Sequence, residues 1–244
     1  TDVINMKKSI LSIGFASLAL VITAFSANGS TVGSGNSNES AASKIECQVS
    51  GDIDVKNIQP KQKGKVTFNR FPATLAEFKE VKAELDKTPQ GAVALQLMAA
   101  ELYRRDHAAG EEAFKLTNTT TNVNTVVRGF KGVFDGYEGR RNTPYQVAAF
   151  LEGANWENGY TPKEPYTVVV EVSANGASYS STYQTDVISF LIYTQGSDSG
   201  KRLGVSVLST AKPGEPSGYI VSNCPPLYFQ IREISFTVPF PGLK

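Results

Sequence analysis

Any acid–base or nucleophilic chemistry in this 244-residue chain has to work with one histidine, His107, and two cysteines, Cys47 and Cys224. His107 lies in Arg104-Arg105-Asp106-His107, at the polar end of a helical pattern, where a partial positive charge suits the helix dipole. Neither cysteine sits in a local context that would stabilise a thiolate. The sequence holds no G-x-S-x-G, H-E-x-x-H or C-x-x-C spacing. Two cysteines and one histidine fall short of the four ligands of a Cys/His zinc site. No metal and no cofactor is therefore expected. The carboxylates Glu111, Glu112, Asp135 and Glu138 could pair as general acid and base. However, adjacent helical residues point in different directions, and Arg140-Arg141 supplies ordinary ion-pair partners. Catalytic residues stay unassigned, and whether the chain is an enzyme is left open.

Two segments carry binding chemistry. Gly196-Ser197-Asp198-Ser199-Gly200-Lys201-Arg202 superficially resembles a phosphate loop. It has three residues, not four, before Gly-Lys, and Arg where Ser or Thr belongs. It also lies between two strand patterns rather than ahead of a helix, so the anion-cradling dipole is missing. A hairpin connection is the expectation, with Asp198 kept as a candidate anion or carbohydrate contact. The second segment is aromatic: Tyr145, Phe150, Trp156, Tyr160 and Tyr166, interleaved with Asn155, Glu157 and Asn158. Rings with amide neighbours suit sugar or peptide recognition, and the same rings suit the seam between helices and sheet. The candidate ligand-binding residues are Tyr145, Trp156, Tyr160, Tyr166 and Asp198. The ligand would be a small molecule, a glycan or an envelope protein.

The elements that must position these residues follow from periodicity. Thr74-Leu75-Ala76-Glu77 is a capping box, followed by Phe78, Val81 and Leu85 at helical spacing. Thr88-Pro89 opens a second helix, apolar on most sides and expected to be central, which Gly110 would end. Glu111–Leu116, Asn122–Phe134 and Tyr145–Leu151 read as further helices. Ahead of this block, Ile45–Val49 and Ile53–Val55 alternate like short strands, and Lys56–Lys65 reads as a polar loop. After Gly159 the pattern becomes β-rich: Tyr166–Val172 bounded by an Asn175-Gly176 turn, then Asp186–Thr194, Leu203–Leu208, Tyr219–Ser222 and Leu227–Ile234. Helices followed by strands predict an α+β fold, a helical block packed on one face of an antiparallel sheet.

The start of the chain reads as an export signal. Met6-Lys7-Lys8 is a basic start, Ile10–Phe25 is an apolar run of about 16 residues, and Ala24-Phe25-Ser26 suits signal cleavage. The run falls short of the roughly 20 residues of a spanning helix. No lipid-accepting cysteine and no basic stop-transfer cluster follow. The expected organisation is a signal peptide over 1–26 (with 1–5 upstream of the true start), a Gly/Ser/Asn-rich tether over 27–43, and one domain over 44–244. The 24 basic and 23 acidic residues become 22 of each without Lys7, Lys8 and Asp2. A neutral mature chain gives no support to nucleic-acid binding, and cleavage would leave no stable membrane insertion. A secreted or periplasmic location follows. In an oxidising compartment Cys47 and Cys224 could form one long-range disulfide; the alternative is two separate buried thiols.

Glu152-Gly153-Ala154-Asn155-Trp156-Glu157-Asn158-Gly159-Tyr160-Thr161-Pro162, followed by Pro165-Tyr166-Thr167-Val168, resembles a family of exported bacterial proteins of unknown function. Thr88-Pro89-Gln90-Gly91-Ala92 and Gly196-Ser197-Asp198-Ser199 resemble it in the same order. The resemblance spans roughly Leu75 to Ile234 and departs at Gly200-Lys201-Arg202, where the family pattern has Pro-Arg. It implies an exported domain and brings no activity or catalytic residues. The functional expectation is a non-enzymatic ligand- or partner-binding domain of the bacterial envelope. The alternative is an enzyme with a cone-like pocket of the nuclear-transport-factor-2 type, a fold-level analogy.

Overall fold

The computed structural model describes residues 43–136, 142–210, 212–235 and 237–244. The export segment, nearly all of the tether, and Glu138, Arg140 and Arg141 lie outside the described residues. The fold is α+β. Six antiparallel strands run in sequence order across one sheet: β1 (Cys47–Gly51), β2 (Lys63–Phe68), β3 (Tyr166–Ser180), β4 (Thr185–Tyr193), β5 (Lys201–Thr210) and β6 (Gly218–Asn223). Four helices stand between β2 and β3: α1 (Leu75–Leu85), α2 (Pro89–Arg105), α3 (His107–Thr117) and α4 (Val123–Phe134). The helices thus precede four of the strands, but two short strands precede the helices.

The helix starts form as their sequences dictate. The Thr88 hydroxyl accepts from the Gly91 amide at 3.2 Å, and Pro89 occupies the first turn, where no amide is needed. Thr74 likewise accepts from the Glu77 amide. The carboxylate of Glu77 reaches one residue beyond the cap, to the Ala73 amide at 2.7 Å, and also holds Arg70. Helix α2 is buried from Pro89 to Tyr103. It touches β2, β5 and β6, so the sheet curls around it, while α1 and α3 cover its other sides. Each fully buried leucine on it (Leu95, Leu97, Leu102) contributes about 1.5–3 kcal/mol. The inner sheet face supplies Val66, Phe68, Val168, Val170, Phe190, Ile192, Val205 and Val207, none more than 1 % exposed. The helix–sheet seam is packed with these side chains.

Several expectations are corrected. Gly110 does not end the helical run; it lies inside α3 because only a glycine lets α3 approach Tyr103, whose Cα would sit 2.1 Å from an added Cβ. Asn175-Gly176 is not a hairpin turn. Both sides of it pair with β4, and five steps along β3, from Val172 to Ala177, oppose two along β4, from Phe190 to Ile188. Gly176, at φ +59°, takes up the extra residues as a bulge. Lys63–Lys65 opens β2 rather than closing a loop, and Ile53–Val55 forms no strand. Tyr145–Leu151 contains only a short 3-10 turn over Ala148–Phe150, and Leu227–Ile234 is irregular after a 3-10 turn over Pro225–Leu227.

Of the two alternatives for the cysteines, the structure has Cys47, partly buried, and Cys224, buried, as free thiols. Cys47 is in β1 and Cys224 directly follows β6, at the two opposite edges of the sheet. Cys224 instead accepts a hydrogen bond from Gln96 Nε2 at 3.5 Å. The same carboxamide accepts from Thr117 and Asn118, which ties α2 to the end of α3.

Candidate functional site

The aromatic residues singled out in the sequence fall into two ring groups within the packed core, Tyr145 with Tyr160 and Tyr166 with Phe68 and Phe71, while Phe150 lines the groove described below. Tyr145 and Tyr160 stack on each other at 5.1 Å, 7 % and 0 % exposed. The Tyr160 hydroxyl donates to the Arg232 carbonyl at 2.6 Å, and burial pushes its pKa up to about 12. Tyr166 starts β3 and packs with Phe68 and Phe71. Trp156 is half-buried, with the Arg232 guanidinium 4.1 Å above its ring. Residues 237–244 lie along this group: a Cβ on Gly159 would meet Val238 at 2.9 Å, and Phe240 meets the Tyr145 ring edge-on. No face of Tyr145, Tyr160 or Tyr166 is presented to solvent.

Asp198, highly exposed in the 195–200 connection between β4 and β5, is linked to the margin of this group through Arg232, whose guanidinium lies 3.4 Å from its carboxylate and also over the Trp156 ring. That connection is the expected hairpin: the Gly200 amide donates to the Ser197 carbonyl, and the Thr194 amide to the Gly200 carbonyl. Arg202 braces it from beneath through Nη2, which donates to the Gly196 and Gln230 carbonyls.

On the other side of this hairpin the outer face of the sheet carries a groove of about 320 Å3, within the roughly 300–1,000 Å3 of small-molecule sites. Its floor and one wall are apolar, from Val169, Phe150 and Leu151. Tyr193, Thr194, Gln195 and Gly200 form the opposite side, with Lys63, Lys65 and Glu152 at the rim. Strand alternation makes this arrangement: Lys63 and Lys65 are two apart on β2 and so share one face, opposite Glu171 and Val169 of β3. The wall is fixed by two backbone ties, the Glu152 amide to the Thr167 carbonyl at 2.8 Å and the Thr194 hydroxyl to the Ala149 carbonyl at 2.7 Å.

Beside the groove a charged row crosses four strands. Glu171, 8 % exposed, accepts from the Tyr193 hydroxyl at 2.8 Å and from Lys201 Nζ at 3.0 Å, with Lys63 Nζ at 3.8 Å. Both ammonium groups also lie over the Tyr193 ring, at 5.8 and 4.9 Å. Burial alone would raise the Glu171 carboxyl. The hydrogen bonds from Lys201 and Tyr193, with the nearby lysine charges, outweigh it and hold the group below the usual carboxylate range. Glu171 is therefore an ionised brace for Tyr193 and Lys201. Lys65 has no such carboxylate opposite it, since its cross-strand neighbour is Val169. Among the described residues no three His, Cys, Asp or Glu side chains converge as a metal-binding group.

Residues 70–235 match the model of Domain of unknown function (DUF6935). The chain belongs to this family. The DUF6935 region takes in all four helices and β3–β6, so Glu171, Tyr193, Gln195 and Lys201 lie inside it, while β2 with Lys63 and Lys65 lies ahead of it. No curated protein and no solved structure matches the chain.

Of the sequence candidates, Tyr145 and Tyr160 stack together, Tyr166 packs with Phe68 and Phe71, Trp156 and Asp198 share Arg232, and none of the five lines the groove. Lys63, Lys65, Glu171, Tyr193 and Gln195 were missed. The available signal was Glu171 itself, a lone charge inside Tyr166–Val172, an otherwise apolar and hydroxylic run. A carboxylate there requires cations on the neighbouring strands.

Proposed function

We infer that this chain is an exported, non-enzymatic binding domain whose ligand occupies the groove beside the 195–200 hairpin. The carrying observation is the groove itself: an apolar floor, an aromatic wall held rigid by Glu171, and the ammonium groups of Lys63 and Lys65 at the open rim. That combination fits a small molecule with an apolar body and one anionic group, a carboxylate or a phosphate. The ionisable groups here act as braces or rim charges, and the packed helix–sheet seam speaks against a cone-like catalytic pocket. No helix among the described residues is long and apolar enough to cross a membrane. Export rests on the basic start and apolar run at the N-terminus; sequencing the protein recovered from outside the cytoplasm should give a start at Ala27.

The binding claim is tested by calorimetry with benzoate and phenyl phosphate, using neutral benzyl alcohol as control. The anionic probes should bind and the alcohol should not. Binding should weaken with salt, because exposed rim charges are screened over about 8–10 Å. Equal binding of all three, or none, contradicts an anion-selective groove.

A further inference from the structure

The aromatic cluster at the helix–strand junction has an occupant supplied by the chain. Residues 232–235 and 237–244 pack beside the 156–166 segment. The Ser235 amide donates to the Trp156 carbonyl at 3.2 Å. Phe240 then packs edge-on against Tyr145 at 6.2 Å. The Leu243 carbonyl accepts from Arg105 Nη2 at 2.9 Å. At Lys244 the amide donates to the Tyr166 hydroxyl at 3.0 Å, the carbonyl accepts from the Phe71 amide at 2.8 Å, and the ammonium pairs with Glu164.

Residues 237–244, Thr-Val-Pro-Phe-Pro-Gly-Leu-Lys, belong to no helix or strand. Three of them, Val238, Phe240 and Leu243, are half-buried and the other five are exposed. A proline-interrupted irregular segment thus lies against aromatic side chains, anchored by Val238, Phe240 and Leu243 and by a few backbone bonds to a guanidinium, a phenol and a main-chain amide. Those are the means by which proteins take up extended peptides from solution. The cleft walls, Phe71, Arg105, Tyr145, Tyr160 and Tyr166, lie inside the family region, whereas the occupant lies beyond its last residue, 235.

We propose that this cleft is a peptide-binding site for segments carrying apolar side chains at the spacing of Val238, Phe240 and Leu243 with intervening prolines, and that residues 237–244 occupy it in cis. Covalent attachment gives the tail an effective concentration of millimolar order, so a free peptide competes only when it is abundant or when the tail is released.

The test uses the full chain with a protease site engineered after Ser235, folded first and then cut. The cut tail should co-elute with the body. A labelled peptide of residues 237–244 should replace it saturably, and the Phe240→Ala peptide should bind at least about tenfold more weakly. The uncut protein should take up the labelled peptide far less than the cut one. Loss of the tail with no uptake of peptide by a still-folded body would overturn the proposal. So would unfolding of the body once the tail leaves, which would make the segment a structural strap. Equal uptake by cut and uncut protein would place the peptide elsewhere and also overturn it. As a check in the uncut chain, Phe240→Ala should raise labelled-peptide uptake without altering the far-ultraviolet circular dichroism; unchanged uptake counts against cis occupancy.

Discussion

Two concavities flank the same run of chain, and they are built from opposite materials. The cleft at Tyr145, Tyr160 and Tyr166 is aromatic and filled by residues 237–244, with its rings almost fully buried. The groove at Lys63, Lys65 and Tyr193 is half-open, carries charge at its rim and has an apolar floor. A dense run of rings in a sequence marks first of all what the chain will bury, because such side chains gain most from leaving water. A charge interrupting a β-rich run marks a place where the fold must arrange compensation, and compensated charges on a sheet face build a site.

This contrast can be broken most forcefully at Tyr160. Tyr160→Ala removes a fully buried ring, its stacking on Tyr145 and its bond to the Arg232 carbonyl. It should cost about 4 kcal/mol in denaturant-induced unfolding. The groove offers the opposite outcome. Lys63→Ala with Lys65→Ala should change stability by less than about 0.5 kcal/mol per site, as for other exposed substitutions, while weakening benzoate binding by about tenfold, or 1.4 kcal/mol, in calorimetry.

Smaller effects sharpen the same distinction. Tyr160→Phe keeps the ring and loses only the hydroxyl bond, and should cost about 1 kcal/mol. In alkaline titration followed by phenolate absorbance, Tyr160 should ionise near pH 12, about two units after an ordinary tyrosine. Its raised pKa means stability is present below pH 10 and is lost as pH rises from 10 through 12; the phenylalanine variant should lack that portion of the alkaline loss. Glu171 has the opposite sign. Its pKa is lowered in the fold, so its contribution is present above the unfolded carboxylate range and disappears as pH falls through the folded value. Glu171→Gln should flatten that part of the acid limb and loosen Tyr193, read as faster ring flipping by NMR.

Much of the fold was legible in the sequence, because its signals are local. Thr74 and Thr88 cap helices where their spacing says they should, and α2 is buried as its all-round apolarity requires. Strands β3, β4, β5 and β6 follow from β-branched and aromatic runs between turns. What failed depended on partners distant in sequence. Gly110 reads as a stop unless Tyr103 is known to press on it, and Asn175-Gly176 reads as a turn unless β4 is known to pair on both sides. Strand β2 was hidden because two of its outward residues are lysines and one inward position is Gly64, so its start looks like a polar loop. The groove was illegible for the same reason: its rim on β2 lies over 100 positions before its brace on β3 and its wall at the end of β4, and only strand register brings them together.

The most direct test of the central claim is an NMR titration of the 15N-labelled protein with benzoate. The account predicts saturable shifts concentrated at Lys63, Lys65, Val169, Tyr193 and Gln195, with the amides of Tyr145, Tyr160 and Tyr166 unmoved. Shifts centred on Tyr145, Trp156 and Tyr160, or no saturable shifts at all, would contradict it.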